Sequence, residues 1–127
     1  MGFAEDIQKF AKKTNQSTEE ALQGTFISLF SSVILATPVL TGRLRGNWFC
    51  TINKPSMKST EMKDPSGGKT VNNMAGKVEG WNPENQICYL TNNLPYAQIR
   101  EDERGMVATN VLRIKRTLKE SVRNVTN

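Results

Sequence analysis

The chain contains no histidine, and that one absence removes much of catalytic and metal chemistry. An imidazole base, a haem axial ligand and the usual mixed zinc site all need that side chain. Only two cysteines occur, Cys50 and Cys88, too few and too far apart in sequence to build a structural metal site alone. No run approaches the roughly 18 consecutive apolar residues of a membrane span. The opening MGFAEDIQKF places Glu5 and Asp6 where a secretory leader needs basic residues. Asp6 also stands where a myristoylation signal needs Ser or Thr. Phosphate loops are lacking too: GRLRG at 42–46 is too short and has no Gly-Lys-Ser/Thr ending. Glu101, Asp102 and Glu103 cluster, but adjacent acids at a short helix end make surface salt links rather than a catalytic pair. An enzyme is not expected, nor is a cofactor, a metal or a membrane partner.

What is present fits one domain: 127 residues, 37% apolar, with a mean hydropathy of −0.49. The core material is lean, which favours a subunit completed by its neighbours. The two cysteines lie in apolar, strand-like runs, the pattern of buried free thiols in a reducing compartment. Charge is unevenly spread. Residues 1–103 carry 11 basic and 11 acidic side chains, so the whole net charge of +5 sits in residues 104–127.

The local signals give an element order. Phe3, Ile7, Phe10 and Ala11 recur at helical spacing, predicting a helix over about 3–13 within a peripheral arm, residues 1–16. Ser17-Thr-Glu-Glu20 has the form of a capping box, and the apolar face from Leu22 to Ile34 continues that helix. Gly24 inside it suggests close packing. Pro38 stops it, because the ring clashes with continued helix and restricts Thr37. Residues 47–53 and 86–91 read as strands that bring Cys50 and Cys88 face to face. Val71, Met74, Ala75 and Val78 predict a short helix over 70–79, followed by a turn, WNPEN, at 81–85. Pro95 suits the first position of another short helix. Val107, Val111, Ile114, Leu118, Val122 and Val125 form one stripe along a last amphipathic helix. Between the first strand and the 70–79 helix, residues 54–69 are rich in lysine, proline and glycine and read as a long flexible loop. The expected architecture is α+β: a long N-terminal helix and a C-terminal amphipathic helix packed on a small antiparallel sheet.

Two features carry function. Arg113, Arg116, Lys119 and Arg123 line the polar side of the last helix. They suit solvent, phosphates or an acidic subunit; the β-branched apolar stripe without tryptophan argues against a membrane surface. The second feature is TPVLTGRLRGNW at 37–48. Here Pro38, Thr41, Gly42, Leu44, Gly46 and Trp48 form an angled structural corner, with Leu44 pointing inward and Trp48 sealing the helix end. Arg43 and Arg45 are left to contact carboxylates within or between subunits.

That corner, followed by YLTNNLPYA at 89–97, resembles the neck or tail-completion (minor tail component) family of long-tailed bacteriophages. MAGKVEGW at 74–81 and Gly105-Met106-Val107 extend the likeness, which covers about residues 20–120. Leu40 replaces the family's aspartate, and REDER at 100–104 replaces its Glu-aromatic-Gly step. The resemblance implies a virion protein, made in the host cytoplasm, that forms a ring in the neck or upper tail. Hexamers are expected, with other neck and tail proteins and channel DNA nearby. Arg43, Arg45, Lys54, Lys58, Lys63, Lys69 and Tyr96 are then candidates for subunit contacts. A different class, a small basic nucleic-acid-binding protein acting through residues 104–123, is the alternative.

Overall fold

The structure, a computed structural model, describes residues 2–125. A 19-residue helix, α2 (Thr18–Ala36), runs through the middle of it. The capping box at its start forms as the sequence requires. Ser17 Oγ accepts from the Glu20 amide at 3.1 Å, and Glu20 Oε1 accepts from the Ser17 amide at 3.2 Å. Ahead of it lies α1 (Phe3–Thr14), and Asn15, in the left-handed conformation at φ 57°, turns the chain between the two.

After Pro38 come a single helical turn, α3 (Arg43–Gly46), and β1 (Trp48–Ile52). Then follow α4 (Gly68–Glu79), β2 (Cys88–Asn92), α5 (Ala97–Arg104) and α6 (Met106–Ser121). The strands pair antiparallel, with Trp48 opposite Asn92, Cys50 opposite Leu90 and Ile52 opposite Cys88. Pro95 precedes α5 by two residues, leaving Tyr96 as its N-cap.

Two apolar clusters flank α2. On one side Phe30 and Ile34 meet Cys50 of β1, Met74 and Val78 of α4, and Trp81. On the other, Ile7 and Ala11 of α1 pack with Ala21 and with Leu118 of α6. Because α2 is covered from both sides, its apolar residues spread round the helix instead of forming one stripe.

The expected architecture is therefore corrected: among the described residues six helices accompany a two-stranded sheet. The C-terminal helix α6 makes its main contacts with α1 and α2, not with the sheet. The reason is geometric. Two five-residue strands offer little area, and α2 and α4 already cover the inner face that Cys50 lines. The stripe of α6 finds its partner in the opposite side of α2, although Val107 at its start stays exposed. Residues 3–14, read as part of a peripheral arm, bury Ile7 completely. Gly24 has open space around it, so no close packing explains that glycine. No helix among the described residues is long and apolar enough to cross a membrane.

Candidate assembly corner

Residues 37–48 form a corner in which Thr37, Arg43, Arg45, Asn47 and Trp48 all bond within the chain, although Arg45 Nε is buried without a partner. Thr37, fully buried, donates from Oγ1 to the Val33 carbonyl at 2.8 Å and accepts from Trp48 Nε1 at 2.8 Å. The hydroxyl thus ties the end of α2 to the first residue of β1. Trp48 itself is half-buried against the larger apolar cluster. Gly42 adopts φ 90°, and a Cβ there would meet the Pro65 nitrogen at 2.5 Å. Leu44 points inward and is buried. At Gly46 a Cβ would meet the Met62 carbonyl oxygen at 3.0 Å. Both glycines are needed where the chain of residues 54–67 crosses the corner.

This crossing segment is a strap. It has no regular structure, yet side chains pin it along its length, so the expectation of a flexible loop is corrected. Asn47, fully buried, donates from Nδ2 to the carbonyls of Arg43 at 2.7 Å and Thr60 at 2.9 Å. Its Oδ1 accepts from the Thr60 amide at 2.8 Å. Further along, the Asp64 amide donates to the Gly42 carbonyl at 3.0 Å. Asp64 Oδ2 accepts from the Thr70 amide at 2.8 Å and hydroxyl at 2.7 Å. From the far side Asn93 Nδ2 reaches the carbonyls of Ser56 at 2.8 Å and Lys58 at 2.9 Å.

Burial alone would raise the Asp64 carboxyl, but hydrogen bonds from Thr70 and the Gly67 backbone, with Lys69 nearby, outweigh it and hold the group below 3.8. A carboxyl depressed on folding contributes stability above its unfolded value, lost as pH falls through the folded one. Asp64→Asn should therefore melt lower at neutral pH. The gap to the wild type should narrow as pH drops below about 4. Parallel melting curves at every pH would show that the carboxylate holds nothing.

The two arginines have different employment. Arg45 donates from Nη1 to the Pro65 carbonyl at 2.6 Å, and from Nη2 to the carbonyls of Leu35 at 2.8 Å and Thr37 at 2.9 Å. It satisfies carbonyls at the end of α2 that lack helical partners and holds the strap to them. Within the described chain it bonds to carbonyls rather than to a carboxylate, and so acts as a structural clasp. Arg43 donates from Nε to the Thr60 carbonyl at 3.2 Å and from Nη2 to Glu61 at 3.1 Å.

Asn92 donates to the Leu44 carbonyl at 2.8 Å, so the segment 89–97 is bonded directly to the corner. Beside this join lies a groove of about 690 Å³, lined by Leu40, Arg43, Lys63, Tyr96, Arg100 and Arg104 among others. No acidic side chain lines it. Lys54, Lys58 and Lys69 are exposed along the strap and at the start of α4, away from the groove lining. On α6, Arg113, Arg116 and Lys119 are exposed, with Arg123 exposed just beyond the helix. Arg113 donates to Asn110 at 2.6 Å, and Lys119 stands 3.7 Å from Asp6 of α1.

The thiols of Cys50 and Cys88 face each other at 3.6 Å and are not bonded covalently. Burial, then the neighbouring Cys88, pushes Cys50 up to about 12. Burial likewise raises Cys88. Both shifts favour the thiol over the nucleophilic thiolate. Among the described residues no group of three or more Cys, Asp or Glu is placed to hold a metal ion.

Sequence reasoning missed Asn47, Asp64, Asn92 and Asn93. The Asp64-Pro65-Ser66-Gly67-Gly68 run before α4 was a legible turn and capping signal. A buried asparagine next to a strand carries no comparable signature. No family model, curated protein or solved structure matches this chain.

Proposed function

We propose that this protein is a structural component of a phage neck or upper tail, acting as a ring-forming tail-completion or head–tail joining subunit. The observation that carries this reading is the bond between the two segments on which the phage resemblance rests. Residues 37–48 and 89–97 meet through strand pairing and the Asn92 to Leu44 hydrogen bond, and the strap locks over them. Such a corner has little internal freedom, while Leu40 stands 98% exposed at its tip and Leu35 and Val39 are also exposed. Held by these bonds and apolar at its tip, it suits docking by shape. Function on this reading is assembly, with no turnover.

Purified protein added to tail tubes should cap one end, visible by electron microscopy, and native mass measurement should show a closed oligomer on the tube. Hexamers are expected. Absence of tube-end binding, together with salt-dependent affinity for duplex DNA, would reject this reading. That result would favour nucleic-acid binding through residues 104–123, which the exposed side chains of Arg113, Arg116 and Arg123 permit.

A further inference from the structure

Two hollows of opposite charge lie beside the two ends of α2. At its C-terminal end lies the corner groove, where Arg43, Lys63, Arg100 and Arg104 surround Leu40 and Tyr96. Arg43 pairs with Glu61 and Arg100 with Glu103, but Lys63 and Arg104 meet no carboxylate among the described residues. At the N-terminal end a second hollow, of about 380 Å³, is lined by Thr18, Glu19, Leu22, Pro83 and Glu84. Glu19 and Glu84 have no ion-pair partner among the described residues, and Leu22 and Pro83 supply apolar surface between them.

We propose that these two surfaces bind each other between copies. Leu40 of one copy enters the hollow between Glu19 and Glu84 of the next, and Lys63 and Arg104 pair with those carboxylates. Within one molecule the surfaces stand about 27 Å apart along the 19-residue helix and cannot meet. Because different faces are joined, the contact is head-to-tail, the type that closes into a ring or runs on as a filament. Phosphates of a nucleic acid would satisfy the cations but leave Leu40 in water. A protein surface with apolar material between two carboxylates satisfies both. Burying one leucine side chain is worth roughly a tenfold to hundredfold gain in association. The inference deepens the ring reading above, and depends on it for closure though not for the contact itself.

Sedimentation velocity on the full chain at low salt tests this, with two charge-reversed variants, K63E/R104E and E19K/E84K. Lys63, Arg104 and Glu84 are exposed and Glu19 is half-buried, and a melting curve checks that each variant folds. Wild type should self-associate. Each variant alone should associate about 100-fold more weakly, because like charges now face one another. Their equal mixture should recover, since the acidic groove of one matches the basic hollow of the other. Leu40→Ser should weaken association at least about tenfold with an unchanged melting point. A wild type that stays monomeric, a variant that associates like wild type, or a mixture no stronger than its parts overturns the contact. Rings that form equally well in every variant would overturn the contact and leave the ring reading standing. Open filaments or dimers that respond to charge as described would do the reverse.

Discussion

Replacing Asn47 by alanine is expected to free the strap from the corner and to cost about 2–4 kcal/mol of folding stability. The side chain is fully buried and makes three hydrogen bonds, two as donor and one as acceptor. Alanine leaves the Arg43 carbonyl and the Thr60 amide without those partners, in a place water does not reach freely. The Thr60 carbonyl keeps only its bond from Arg43 at 3.2 Å. Aspartate offers no rescue. It can still accept from the Thr60 amide but sets a carboxylate against two carbonyl oxygens, so Asn47→Asp should be at least as damaging as alanine. Denaturant unfolding gives the energy, and hydrogen exchange at the Thr60 amide gives the mechanism. If both variants melt like wild type with the Thr60 amide still protected, Asn47 does not clasp the strap. If the strap shapes the groove, the same variant should also weaken self-association more than its loss of stability explains.

Trp81→Ala is expected to be the more severe change, about 3–5 kcal/mol. The indole is 5% exposed and stacks on Phe26 with ring centroids 5.0 Å apart. Its Nε1 donates to the Gln86 carbonyl at 3.0 Å. Alanine opens a void where α2, α4 and the sheet meet, and the surroundings can fill it only by moving α4 against α2. Trp81→Phe keeps much of the buried area and the ring stack but abandons the Gln86 carbonyl, so it should lose roughly 1–2 kcal/mol. Thermal melts of the two variants should rank alanine well below phenylalanine. Equal melting points would mean that the hydrogen bond, and not the packed ring, matters at this site. The change also reaches the acidic hollow, since Pro83 and Glu84 sit in the turn that Trp81 anchors.

These two residues show where reading the chain succeeds and where it stops. Ser17 to Glu20 announced the start of α2, and Pro38 announced its end, because capping and steric clash act within a few residues. One strand was legible from alternation and the other from a bounded run of β-branched and aromatic residues, and together they suggested the approach of Cys50 to Cys88. The corner was legible as a corner: Gly42 and Leu44 play the parts their residue types suggest. Trp81 looked like a turn residue because it follows Gly80, yet its ring belongs to the core. Asn47 looked like a strand edge. Arg45 looked like a contact for carboxylates, and its Nη atoms bond to three backbone carbonyls around the corner.

What the amino-acid order determined by itself was what near neighbours govern: where α2 begins and ends, where strands form and where the charge accumulates. Only the tertiary structure decided that α6 lies on α1 and α2 and that the lysine-rich segment is a pinned strap. It also placed cations and carboxylates that have no ion-pair partner among the described residues beside opposite ends of one helix. These outcomes depend on which surfaces remain uncovered once the others have packed, and on bonds between distant residues, as when Lys13 donates to the Ser121 carbonyl at 2.6 Å. Periodicity shows that a face is apolar; competition among all the apolar faces for limited area chooses its partner.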